Sequence, residues 1–216
     1  QEFPAYTGLK SLTRSLGDLS LLAGSTLTLK IAATKELRFA EARLVGVESN
    51  VVLRLDAANR RALSGQFQVA AKGLTGFQML MIDRDGMESR DSAVYRVDVL
   101  PDKVPVVRIT YPDRKEELVT RQAAMLIGFE ATDDFQIAKV RLKYKVVSEG
   151  GGIENAVELD LENVRAAKLK RRYEWKISDV LPGLPEGSVV EYWLEAEDNN
   201  NVTGPGLGSS ERQLIK

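Results

Sequence analysis

The sequence predicts an all-β protein made of two tandem antiparallel β-sandwiches, and three observations carry that prediction. Apolar and polar residues alternate at period two through short segments spaced roughly 10–15 residues apart. No segment keeps a 3.6-residue period long enough for a substantial core helix. Two stretches of the first half also recur, in the same order, in the second. Ile31 to Leu44 aligns without a gap on Phe129 to Leu142, with Ala33-Thr34 on Ala131-Thr132, Leu37 on Phe135, Phe39 on Ile137 and Arg43-Leu44 on Arg141-Leu142. Phe77 to Asp83 aligns on Tyr192 to Asp198. Two matches in one order point to a duplicated domain.

The elements follow in chain order. In the first copy Leu27, Leu29, Ile31 and Ala33 alternate with polar residues, followed by Val51-Leu53-Leu55, Phe67-Val69, Phe77-Met79-Met81 and Tyr95-Val97-Val99. In the second the series is Val107-Ile109-Tyr111, Met125-Ile127-Phe129-Ala131 and Val140-Leu142-Tyr144-Val146. Val157-Leu159-Leu161, Tyr173-Trp175-Ile177 and Val190-Tyr192-Leu194-Ala196 complete it. A strand that alternates in this way has one face to bury, so about seven strands per copy need two layers. That is a sandwich of immunoglobulin or fibronectin type. The chain has no Cys, which excludes the antibody-style disulfide. Pro101 and Pro105 interrupt ladder pairing between the copies and set the expected domains at 1–101 and 102–216.

Composition excludes whole classes of chemistry. The 216 residues contain neither His nor Cys, so there is no Ser-His or Cys-His pair, no Cys/His zinc site and no thiol redox centre. With 30 Lys plus Arg against 31 Asp plus Glu, no global field draws in nucleic acid or an anionic membrane. The apolar runs are too short and too interrupted by charge to span a bilayer. The chain opens Gln-Glu-Phe-Pro without Met and reads as a segment of a longer protein.

Several local features remain as candidates. Asp133 and Asp134, with Asp198 and Asn199, are candidate calcium ligands, because strand ends gather at the poles of a sandwich and calcium takes carboxylate and amide oxygens. The competing reading is that Asx residues at loop starts bond their own backbone. Asp83-Arg84-Asp85-Gly86-Met87-Glu88 spaces three oxygen donors but lacks the ligand series of an EF-hand loop, and an Asp-Gly turn explains it. Arg165, Lys168, Lys170, Arg171 and Arg172 form a basic cluster diluted by Asp160, Glu162 and Glu174; protection of an edge strand is favoured over contact with nucleic acid. Gly204-Pro205-Gly206-Leu207-Gly208 lacks the Lys-Ser/Thr of a phosphate loop, and Gly150-Gly151-Gly152 reads as a pliable loop tip. Trp193 falls on the outward phase of its strand, so it is a candidate partner-binding residue unless a neighbouring domain or a long loop covers it. No catalytic residue and no cofactor is expected; calcium stands only as the candidate named above, with the backbone-bonding reading favoured over it.

Phe3-Pro4-Ala5-Tyr6-Thr7-Gly8-Leu9, Ala23-Gly24-Ser25-Thr26-Leu27, Asp102-Lys103-Val104-Pro105 and Ala131-Thr132-Asp133-Asp134-Phe135 stand in that order. In this the chain resembles, over nearly its whole length, the tandem immunoglobulin-like region of large bacterial membrane-anchored proteins of unknown function. The resemblance implies an extracytoplasmic module, periplasmic or at the cell surface, in a membrane-anchored parent. One departure is that Lys35-Glu36 takes the place of Asp133-Asp134 in the first copy, so an acidic-pair role belongs to the second copy alone. The expected function is a noncatalytic spacer and protein-interaction module that meets a protein partner or neighbouring domains of its parent. A carbohydrate-binding accessory region attached to an enzyme is the alternative.

Overall fold

The computed structural model describes residues 1–15, 17–90, 93–147, 153–159 and 165–216; Gly150, Gly151, Gly152, Asp160, Leu161 and Glu162 lie outside the described residues. It divides into unit 1, Gln1–Asp102, and unit 2, Lys103–Lys216. Unit 1 contains a 3-10 turn at Ala5–Thr7, β1 (Leu19–Leu22), β2 (Thr26–Ala32), β3 (Leu37–Val45) and β4 (Asn50–Val52). It continues with β5 (Arg54–Leu55), β6 (Ala62–Gln68), β7 (Gly76–Asp83) and β8 (Val94–Leu100). Unit 2 contains β9 (Val106–Tyr111), β10 (Glu116–Glu117), β11 (Ala124–Thr132), β12 (Ile137–Val146) and β13 (Asn155–Glu158). Then come β14 (Lys168–Lys176), α1 (Ile177–Val180), β15 (Val190–Asp198), β16 (Leu207–Ser209) and β17 (Gln213–Ile215). No helix among the described residues is long and apolar enough to cross a membrane.

Each unit is a sandwich with one layout. In unit 1 a sheet ordered β1-β8-β7-β3-β4 faces a sheet ordered β2-β6-β5. In unit 2 a sheet ordered β10-β17-β15-β12-β13, with β16 also on β15, faces one ordered β14-β11-β9. The pairing is antiparallel with two exceptions, β1 on β8 and β10 on β17, which run parallel. Their cause is that the first strand of each unit is shared between the layers. Glu2 bridges Thr26 before β1 joins β8, and β9 pairs with β11 before β10 crosses to β17. Gly208 lets β16 lie close to the start of unit 2, since a Cβ there would stand 1.7 Å from the Pro105 carbonyl oxygen.

The two units share a strand layout, and set on one another by it they show that one of the two sequence matches is two residues out of register. Leu37 lies opposite Asp83 and Ala42 opposite Met79, while Ile137 lies opposite Asp198 and Leu142 opposite Leu194. The loop contacts agree: Ala33 and Leu37 donate their N–H groups to Arg61 and Arg60, and Asp133 and Ile137 donate theirs to Ala167 and Ala166. Leu37 is therefore equivalent to Ile137, not to Phe135, and Ala33-Thr34 rather than Lys35-Glu36 stand where unit 2 has Asp133-Asp134. A slip of two leaves every inward residue inward, so alternation could not detect it. The match of Phe77 with Tyr192 and Asp83 with Asp198 has the register seen in the structure.

Both cores close around that matched aromatic. Phe77 stacks on Tyr95 with ring centroids 5.2 Å apart and meets Phe67 edge-on at 6.1 Å. Tyr192 lies 5.4 Å from Trp175, which in turn lies 5.7 Å from Tyr144. Trp175 comes from β14 and the two tyrosines from the opposite sheet, so its indole is the bridge between the layers. Truncating a fully buried Trp removes that contact and leaves a cavity, at about 3–5 kcal/mol. Calorimetry of Trp175→Ala is expected to lower the transition of unit 2 by that amount and leave the transition of unit 1 in place.

Candidate functional site

The strand-end aspartates are built the same way in both units. Asp83 ends β7; its Oδ1 accepts the N–H groups of Asp85 at 3.0 Å and Met87 at 2.9 Å. Asp198 ends β15; its Oδ1 accepts those of Asn200 at 2.9 Å and Gly206 at 3.0 Å. Both side chains are buried, and each supports the loop that follows its strand. In unit 1 Gly86 takes a φ of 88°, which a Cβ-bearing residue adopts only with strain, so the Asp83 to Glu88 segment is a closed turn. The N–H of Met87 holds the Asp83 carboxyl below its ordinary range, and the Lys35 ammonium, 3.3 Å away, lowers it further.

The structure brings Asp133, Asp134, Asp198 and Asn199 to one pole of unit 2. Asp133 Oδ2 accepts the N–H groups of Phe135 at 2.9 Å and Gln136 at 2.7 Å, as an Asx residue does at a loop start. Asn199 donates its amide to Gln136 Oε1 at 3.0 Å, and Asp134 is exposed. Burial pushes the Asp133 carboxyl up against the pull of its two N–H donors, and the charges of Asp134 and Asp198 add to the rise. Unit 1 has Lys35 beside its strand-end aspartate; unit 2 has Phe135 at the equivalent position and a second acid nearby. Among the described residues no group of three or more His, Cys, Asp or Glu side chains is placed to hold a metal ion.

Trp193 lies on the outer face of the β12–β15 pair, directly opposite Lys143. Its exposure is only 4%, and the Arg212 guanidinium sits over the ring at 4.3 Å. The cover that the outward phase requires comes from unit 2 itself. Around it the charges are paired: Arg141 with Glu195 at 3.4 Å and Glu197 at 2.7 Å, Lys143 with Glu154 at 2.8 Å, and Glu191 with Lys145 and Arg212 at 2.9 Å each.

The opposite sheet has a different outer face. β14 is an edge strand among the described residues, and its regular register on β11 turns Lys168, Lys170, Arg172, Glu174 and Lys176 outward together. Glu130 of β11 lies between Lys170, 2.9 Å away, and Arg108 of β9, whose Nε donates at 3.1 Å. The Arg108 hydrogen bond, aided by that of Lys170, holds the Glu130 carboxyl at about 2. Gly128 is flanked by Arg172 on one side and Tyr111 on the other. Sequence reasoning found the β14 cations but missed Arg108, Gly128 and Glu130, and it placed Tyr111 on the apolar phase of β9 with Val107 and Ile109, whereas beside the register shift at Gly128/Phe129 it is exposed. The alternation phase of β9 and β11 signals the other three, and they become a site only when three strands are set in register.

Two outcomes are expected at the acidic pole. Asp198→Ala strands two N–H donors and is expected to destabilise unit 2 by about 1–3 kcal/mol for each, while Asp198→Asn, which keeps the acceptor, costs less in the same denaturant titration. Asp133→Asn retains the loop bonds and removes a repelled charge. Its melting temperature is expected to exceed that of the parent at neutral pH. The gain fades as pH falls through the raised pKa of Asp133, because the parent carboxyl then takes up a proton and ceases to repel its neighbours.

No family model matches the chain, and no curated protein matches it. Solved structures do, at low identity. The chain is similar to the titin domains Z1Z2 in complex with telethonin, at 12% identity over 95% of each chain with a TM-score of 0.37. It is similar to a 1.5-MDa bacterial ice-binding adhesin, at 10% identity over 91% of this chain and 60% of that one with a TM-score of 0.43. It is also similar to a DUF4785 family protein from Legionella pneumophila, at 12% identity over 87% of this chain and 52% of that one with a TM-score of 0.33. The chain thus spans about half the length of the Legionella protein.

Proposed function

We propose that this chain is a noncatalytic pair of immunoglobulin-like sandwiches that serves as a spacer and protein-interaction module in a larger, membrane-anchored bacterial protein, on the extracytoplasmic side. The observation that carries the reading is the use to which the polar residues of both units are put. Asp83 and Asp198 are buried and spent on loop N–H groups, Asp133 is spent on the next loop, and the ions around Trp193 pair with one another. Two closed cores supply shape, and the loops are held by their own side chains rather than arranged around a substrate.

The absence of Cys makes placement testable in cells that produce the parent protein. Lys139 is exposed on β12, so Lys139→Cys adds an accessible thiol whose labelling is read as the difference from the unsubstituted parent. A membrane-impermeant maleimide is expected to label it once the outer barrier is opened but with the inner membrane intact. Labelling that requires lysis of the inner membrane would place the module in the cytoplasm and overturn the reading.

A further inference from the structure

The two outer faces of unit 2 differ in a way that the spacer reading does not use. On the β12–β15 side Arg141, Lys143, Lys145 and Arg212 all have a glutamate partner, Lys145 and Arg212 sharing Glu191, and only Lys139 has no ion pair among the described residues. On the β9–β11–β14 side Lys168, Arg172 and Lys176 have no ion pair among the described residues, and Lys170 and Arg108 share the one carboxylate of Glu130. Residues two apart on a strand stand about 6.6–6.8 Å from one another, so Lys168, Lys170 and Arg172 form a row along β14, with Glu174 between Arg172 and Lys176. Beside that row is a depression lined by Thr110, Tyr111, Leu126, Gly128, Lys170 and Arg172. Tyr111 is 55% exposed, and it lies close over Gly128, where a Cβ would come within 3.2 Å of both Tyr111 Cβ and Thr110 Oγ1, so the buried glycine lets the tyrosine lie low against the sheet.

We propose that this face binds an anionic polysaccharide, with a sugar ring laid on Tyr111, sugar hydroxyls donating to Glu130, and the acidic substituents of the chain meeting Arg172 and its neighbours on β14. Each feature selects part of that ligand. The unpaired cations require an anion, and a flat open sheet suits an extended polymer better than a small ion, which needs an enclosed site. The exposed ring next to a glycine suits the apolar face of a pyranose. Glu130 decides against a single-stranded nucleic acid. Held ionised between Arg108 and Lys170, it repels phosphates and acidic sugar substituents alike, but an acidic polysaccharide can set a hydroxyl there, which donates to it, whereas an oligodeoxynucleotide carries a phosphate at every step. The inference stands independently of the spacer reading, because a spacer can lack it and a binding face can exist in any compartment.

Affinity electrophoresis and titration calorimetry of the whole chain with polygalacturonate and heparin test it, with neutral dextran and oligothymidylate as comparison polymers and melting temperatures as the check on folding. Retention by at least one anionic polysaccharide and none by dextran is expected. Tyr111→Ala and Arg172→Glu should each weaken binding about tenfold or more, the loss of roughly 1.4 kcal/mol. Lys139→Glu, a charge reversal on the other face, should leave it unchanged. Glu130→Ala is the sharpest arm: removing a negative charge strengthens any purely electrostatic attraction, but here it should weaken binding several-fold because the hydroxyl acceptor is gone. The proposal is overturned by binding of neither polysaccharide, by tighter binding to Glu130→Ala, by an equal loss in Lys139→Glu, or by preference for oligothymidylate.

Discussion

The packing of Tyr192 against Trp175 across the two layers of unit 2 is the contact on which the rest of that unit depends. Tyr192 sits on the central strand of its sheet, and its hydroxyl donates to Gln213 of β17 at 2.5 Å. Gln213 passes the connection on by donating to the Pro112 carbonyl at 3.3 Å. One side chain thus joins both sheets, the last strand and the turn after the first. With Tyr192 inward, Val190, Leu194 and Ala196 must follow it, and Glu191, Trp193, Glu195 and Glu197 must face out. The strand then ends with Asp198 turned back into the protein. Phe77 occupies the same place in unit 1, with Tyr95 and Phe67 as its ring partners and Asp83 six residues later. The core, the charged outer face and the loop anchor therefore follow from the phase of one aromatic residue.

That dependence explains which parts of the structure were legible in the sequence. Alternation reports phase, and phase was enough to find the sandwiches, the core lists and the outward position of Trp193. Register is a different quantity, and a shift of two changes no face. The match of Leu37 with Phe135 failed for that reason, whereas the match of Phe77 with Tyr192 carried an aromatic and a strand-end Asp that exclude a slip. The pairing of β1 and β10 was missed because two to four residues hold too little alternation to be seen. Cover for Trp193 was unreadable for another reason. Arg212 reaches it from the segment before β17, and only the fold brings that segment alongside β15.

The strand-end poles show how equivalent scaffolds diverge. Both use a buried aspartate as an acceptor for loop N–H groups, a role in which the ionised form is the better acceptor. Unit 1 balances that charge with Lys35, which lies beside the Asp83 carboxylate. In unit 2 the equivalent residue is Phe135, and Asp133 and Asp134 add charge where unit 1 has Ala33 and Thr34. An acidic pair on the sequence suggests a metal, but the oxygens of Asp133 and Asp198 that face their loops are taken by N–H groups. The other oxygen of Asp133, Oδ1, is buried without a hydrogen-bond partner, and that orphaned acceptor accompanies the upward pull of burial on this carboxyl.

A sandwich offers two outer faces, and in unit 2 they are built on opposite principles. Around Trp193 the cations Arg141, Lys143, Lys145 and Arg212 all have glutamate partners, so most of the charge on that face is met within it. Cross-strand pairs of this kind add modestly to sheet stability and leave no net field. On the other side the cations of β14 repel one another, which opposes pairing of two copies edge to edge. That role accounts for Lys168, Lys170 and Lys176 on an edge strand. It does not account for Leu126 on the central strand, for Tyr111 exposed at the end of β9, nor for a carboxylate held ionised on the central strand. An edge needs only charge to be protected, whereas an exposed tyrosine laid against a glycine and a fixed acceptor set among cations add shape and a hydrogen-bond acceptor to that charge.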